Sequence, residues 1–292
     1  MDPNDDDRPS SPLVPPAERG ERSMSYLSAA GFAVGTTFLY IFFLSLIGSI
    51  RGGGEGRLDL VTSFGCQLVS TLLALFLILQ LHAPDKSIRD YLGVRATHRG
   101  FFPLAAMLGM AVQIPANALY DIIVKRWPTG QPREEMLQEE LAGGVPKRVL
   151  FFVILVLAGP LIEEVFFRGA LFRPLRRRYD ALGTILATST FFAFAHLEWQ
   201  LVLPIGIVGL SLGLLRSASG SLLPSFVMHG LFNGITLGSV YSRSPTEIAD
   251  SAPIPLSVTI GGSAVTLVLL GLVYLLGKKS EVAREAREKD VA

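Results

Sequence analysis

The sequence predicts an all-α fold, a polytopic membrane helix bundle of about eight transmembrane helices. Composition and block length predict it. Half of the 292 residues are hydrophobic and only 17% are charged, against roughly 25% in soluble chains. The apolar residues fall into blocks of about 17–25, the length that crosses a hydrocarbon core about 30 Å thick. Net charge is close to zero, so the position of the charges matters more than their sum.

The blocks run over about 26–50, 60–82, 101–124, 149–172, 181–198, 199–216, 221–242 and 254–277. The fifth, sixth and seventh are short or interrupted by polar residues. Before the first lies 1–24, rich in Pro and Asp with no apolar centre. It reads as a disordered tail without a cleavable signal, which makes the first block an uncleaved anchor. The bundle then occupies 25–278, and 279–292 reads as a charged, frayed helical tail. The single cysteine, Cys66, lies in an apolar block and reads as a packed thiol. No internal repeat is evident, which counts against an inverted-repeat transporter.

An even number of spans puts both termini on one side. Arginines and lysines before the first span, between the second and third, after the fourth and in the tail outnumber those on the other side about twofold. The positive-inside rule therefore places both termini in the cytoplasm. By the same argument, the run RPLRRR at 173–178 is a topology signal that suits acidic lipid, and nucleic acid is not expected as a partner. The longest opposite-side loop, about 125–148, carries PREEMLQEELAGG, a short amphipathic helix read first as a solvated connector. The short loops suit a bacterial plasma membrane.

Glu163 and Glu164 stand out against this background. Both lie inside VLFFVILVLAGPLIEEVFFRGALF, where each ionisable group costs roughly 2.5–3.5 kcal/mol to insert. Of four histidines, two, His196 and His229, also fall within spans. A turn near Tyr179–Gly183 would make the fourth and fifth spans a hairpin. Glu164 and His196 are equally far from Asp180, so such a hairpin levels them on neighbouring helices. His229, one span further on, falls somewhat shallower but can converge with them.

Helical spacing adds partners. Glu164 and Arg168 stand four apart and predict an ion pair, while Glu163 points about 100° away. Phe192 shares a face with His196, and Asn233 with His229. Gly159–Pro160, one turn before the glutamates, predicts a kink that opens space beside them. A carboxylate and an imidazole around one water make a general-base site, and a second imidazole and an amide can donate to an oxyanion. The same Glu163, His196 and His229 could instead hold a metal such as zinc with one position open. They lack the compact H-E-x-x-H spacing. An ion-pair network that merely joins helices is the plain alternative for the glutamates, and interhelical hydrogen bonding is the plain alternative for Asn233.

These residues carry a resemblance. EEVFFR, Glu163 to Arg168, resembles the E-E-x-x-x-R motif of the CPBP family of intramembrane proteases (the Abi family), which includes CAAX prenyl endopeptidases and bacteriocin-processing relatives. FAFAH, Phe192 to His196, resembles its F-x-x-x-H motif, and HGLFN, His229 to Asn233, its H-x-x-x-N motif. The motifs fall in the family's order within about 149–242, and IRDYLGVR before the third span is a weaker similarity. The resemblance implies an intramembrane endopeptidase acting on a membrane-bound or lipidated, CAAX-type peptide. It implies Glu163 as general base with His196 helping, His229 and Asn233 at the oxyanion, and Glu164, Arg168 and Phe192 in support. It favours a mechanism without a metal, with a divalent cofactor such as zinc as the alternative. A scaffold or bacteriocin-immunity protein, and a proton-coupled transporter using the carboxylates as a relay, are the readings outside that activity.

Overall fold

The computed structural model describes residues 21–51, 59–128, 143–242 and 253–291, with side chains described as far as 282. Nine helices are named here: α1 Tyr26–Ile50, α2 Leu60–His82, the short α3 Ile88–Leu92, α4 Phe101–Arg126, α5 Val145–Arg176, α6 Ala181–Phe194, α7 Val202–Ser219, α8 Leu222–Tyr241 and α9 Leu256–Val291. Among the described residues no strand occurs.

A helix stands in each of the eight predicted blocks, but the count of eight spans does not follow. Six helical stretches are long and apolar enough to cross a membrane: Tyr26–Ile50, Leu60–His82, Phe101–Arg126, Val145–Arg176, Trp199–Ser219 and Leu256–Val282. α6 has only 14 residues, about 21 Å at 1.5 Å per residue, which is short of the hydrocarbon thickness. α8 has 20 residues but falls outside the six, because Ser, His, Asn and Thr interrupt its apolar run. The bundle is that of an integral membrane protein. Its outer surface carries Leu27, Phe38, Phe42, Leu72, Phe76, Leu267 and Val268, all exposed, as lipid contact requires.

α4, α7 and α8 form the centre. Phe101 and Leu108 of α4, Leu212 and Leu215 of α7, Met228 of α8 and Leu171 and Leu175 of α5 are fully buried together. α1 lies at the edge, with 6% of its apolar window buried, and packs chiefly on α2.

α5 is not a plain α-helix. Two π-helical stretches, Val153–Ala158 and Val165–Leu171, flank the α-helical Gly159–Glu164. At Gly159–Pro160, where a kink was predicted, the structure has widened turns. Gly159 N–H bonds to Ile154 O, five residues back, and Pro160 has no N–H to give. Leu155 O is left without its usual helical donor, and Asn233 Nδ2 fills that role from α8 at 2.8 Å. Carbonyls of the second π stretch draw partners too. Arg216 Nε donates to Arg168 O at 2.8 Å, and the Tyr91 hydroxyl donates to Ala170 O at 3.0 Å. Burial pushes the Tyr91 phenol up, with Glu21 adding to the effect, so it stays a donor.

That contact gives IRDYLGVR its place. It forms α3, capped by Ser87 and stopped by Gly93 at φ 74°, a conformation glycine adopts without the Cβ penalty. The hairpin between α5 and α6 also forms where expected: α6 starts at Asp180, whose side chain accepts from Gly183 N–H at 2.8 Å. The terminal tail needs correction at its end. Residues 1–20 lie outside the described residues, but 21–24 are docked on the bundle. Met24 is buried, its N–H bonds to Pro174 O at 3.0 Å, and Glu21 pairs with Arg173 at 2.7 Å and with Arg177. The predicted amphipathic helix near 132–144 lies almost wholly outside the described residues. Cys66 is buried and free. The tail from 279 continues α9 as helix to Val291.

Candidate active site

The α-helical turn between the two π stretches carries the glutamates. Glu164 is fully buried, whereas the Glu163 side chain is 21% exposed. That difference separates their roles. Arg168 Nη1 donates to Glu164 Oε1 at 3.0 Å, and its Nη2 donates to Gly209 O of α7 at 3.0 Å. The guanidinium also lies 4.4 Å from the centroid of the Phe192 ring. Arg168 is itself fully buried, so the pair survives only because each charge has a fixed partner.

His229 joins the two carboxylates. Its Nδ1 stands 3.1 Å from Glu164 Oε1 and its Nε2 stands 3.7 Å from Glu163 Oε2. The ion-paired Glu164 carboxylate can only accept, so Nδ1 carries the proton. α8 reaches α5 closely enough for this because residue 230 is glycine: a Cβ there would lie 2.9 Å from Val156 O.

His196 lies two residues beyond α6, not inside it as predicted. Leu197, the next residue, has φ 60°, a strained value for a residue with a Cβ. The strained turn ends the helix and presents the imidazole. His196 Nδ1 is 2.8 Å from Phe192 O. A carbonyl only accepts, so Nδ1–H donates and the lone pair of neutral His196 sits on Nε2. Phe192 supports both histidines, with ring centroids 5.0 Å from His196 and 5.6 Å from His229.

Glu163 and His196 share a cavity of about 320 Å³ bounded on its far side by α1 and α2. From α2, Gln67 Nε2 donates to Glu163 Oε1 at 3.1 Å. Sequence reasoning missed Gln67, although a carboxamide inside an apolar span is itself a signal. Asn233 is placed one helix away from the cavity wall, with its amide on Leu155 O. The structure thus brings Glu163, Glu164, Arg168, Phe192 and His229 into direct contact, lines the cavity with Glu163 and His196, and sets Asn233 against the π turn.

Among the described residues no group of three or more His, Cys, Asp or Glu side chains is arranged to hold an ion. Glu163, His196 and His229 therefore do not form a ligand set in this geometry.

A polytopic helical membrane protein with a buried carboxylate–histidine centre is the class that fold and site define. The family model described as type II CAAX prenyl endopeptidase Rce1-like matches residues 145–235, the segment that bears all three motifs. That match supports the CPBP/CAAX protease family the motifs resemble. A protein of Escherichia coli described as an uncharacterized 24.3 kDa protein is 32% identical over 103 residues, which is 33% of this chain and 46% of that protein. The chain thus spans just under half the length of that relative. No solved structure matches the chain.

Proposed function

We propose that the protein is an intramembrane endopeptidase that hydrolyses a peptide bond of a membrane-associated or lipidated, CAAX-type substrate without a metal. The supporting observation is the shared cavity: the more exposed glutamate and His196 line the same polar space. Water held there meets Glu163, which removes a proton as the oxygen attacks the scissile carbonyl carbon. His196, on the same cavity, helps to activate that water. His229, flanked by two carboxylates, donates from Nε2 in its imidazolium form to the developing oxyanion. Glu163 then returns its proton to the departing amine, the C–N bond breaks, and a carboxylate and an amine result. Glu164 and Arg168 hold His229 in place, and Asn233 fixes the π turn beneath it while its second N–H remains able to donate to the oxyanion.

Charge distribution supports both termini in the cytoplasm, with acidic lipid against the arginine-rich end of α5, and the short loops suit a bacterial plasma membrane. The test is cleavage of a membrane-peptide library by the purified full chain in liposomes. Glu163→Ala and His196→Ala should each abolish cleavage while the protein still inserts and folds. Cleavage retained in both variants would overturn the reading.

A further inference from the structure

The cavity wall opposite the glutamates is polar where membrane helices are normally apolar. Thr36, Thr37 and Tyr40 follow helical spacing on α1, and Gln67, Ser70 and Thr71 do so on α2; all six line the cavity. Neither helix lies in the segment matched by the family model.

The hydroxyls have a defined polarity. Thr36 Oγ1 donates to Phe32 O at 2.7 Å, Thr37 Oγ1 to Ala33 O at 3.0 Å and Ser70 Oγ to Cys66 O at 2.8 Å. A hydroxyl has one proton. Each of these is used within its own helix, so the oxygens offer lone pairs only. On this wall Thr36, Thr37 and Ser70 therefore accept hydrogen bonds.

A peptide segment in hydrocarbon keeps its N–H groups bonded by remaining helical. Cleavage requires that a carbonyl be drawn out of that helix, which also strands N–H groups at a cost of several kcal/mol each. A site that unwinds its substrate must supply acceptors. Glu163 is committed to water and to Gln67, and an additional carboxylate would cost more to bury than a hydroxyl.

We propose that the Thr36–Thr37 wall of α1, continued by α2, is a subsite for an unwound peptide segment, whose freed backbone N–H groups donate to these hydroxyl oxygens beside Glu163. The inference rests on the peptidase reading and names its substrate form: a locally extended peptide with free secondary amides.

Binding is measured with the full chain carrying Glu163→Gln, which removes the proposed chemistry and leaves the wall intact. The probes are a fluorescent apolar membrane peptide with a central Gly-Gly and the same peptide with its backbone amides N-methylated over that stretch. The unmethylated peptide should bind about tenfold more tightly, the loss expected for two neutral hydrogen bonds. Thr36→Val with Thr37→Val should bring its affinity down to that of the methylated probe, and Thr36→Ser with Thr37→Ser should keep it. Equal affinities for the two probes, no binding of the unmethylated one, or full affinity in the valine variant would overturn the subsite. Cleavage by the unmodified protein is scored separately, so a failed subsite and a failed peptidase reading give different results.

Discussion

Gln67 of α2 donates to Oε1 of Glu163 of α5 across 3.1 Å, joining residues 96 positions apart in the chain. The bond holds the more exposed carboxylate at one orientation in the cavity. Since a displacement of about 1 Å costs on the order of a hundredfold in rate, Gln67 acts as a positioning residue. Gln67→Leu should lower kcat by roughly ten- to a hundredfold and change KM little. Gln67→His, which can restore a donor, should recover part of the loss. A variant in which KM rises and kcat stays constant would assign Gln67 to substrate binding instead.

The Glu164–Arg168 pair makes a stability prediction. Both side chains are fully buried, so removing one leaves an uncompensated charge. Arg168→Met should destabilise the fold by about 3–5 kcal/mol, while Arg168→Met with Glu164→Leu should regain much of that. Thermal unfolding in detergent reads both, with the exposed Arg99→Met as control. The double variant should remain inactive, because His229 loses the acceptor on its Nδ1. If Arg168→Met behaves like the control, the pair does not carry the packing assigned to it.

Chelation tests the donor geometry. The described residues offer no cluster suited to an ion, and the proposed chemistry runs through protein side chains. Cleavage should persist at full rate after prolonged treatment with EDTA and 1,10-phenanthroline. Loss of activity that is restored by added zinc would return the metal to the mechanism.

Much of the site was legible because it depends on short spacings. The four-residue step from Glu164 to Arg168 became a 3.0 Å ion pair, and the hairpin count about Asp180 placed Glu163 and His196 on one cavity. The π turns were not legible. Gly159–Pro160 announces a disturbance, but whether it relaxes as a kink or as widened turns depends on donors from other helices, here Asn233. Gln67 was lost for a related reason: one carboxamide in a long apolar block hardly changes its hydropathy. Met24 and Glu21 look like tail, and only the shape of the bundle shows what buries them. α6 illustrates the opposite error, since its apolar run continues past Phe194 while the chain turns at Leu197.

Asn233 and Pro160 should be coupled through a carbonyl that neither side chain resembles in sequence. Leu155 O lacks a main-chain donor because Gly159 N–H bonds to Ile154 O and Pro160 has none. Asn233 Nδ2 is therefore its partner at 2.8 Å. Asn233→Ala should cost about 1–3 kcal/mol, the penalty of an unsatisfied buried group. Pro160→Ala provides a main-chain N–H five residues after Leu155, in register for a π bond. In that background Asn233→Ala should cost much less, giving a coupling within the roughly 0.5–3 kcal/mol seen for residues that share a partner. The four proteins of the cycle are compared by thermal unfolding and by cleavage. If stability recovers in the double variant while cleavage does not, Asn233 also touches the reacting atoms through its second N–H. If both recover, its part in the motif is to hold the π turn that aims Glu163. Strictly additive costs would break the link between Asn233 and the proline.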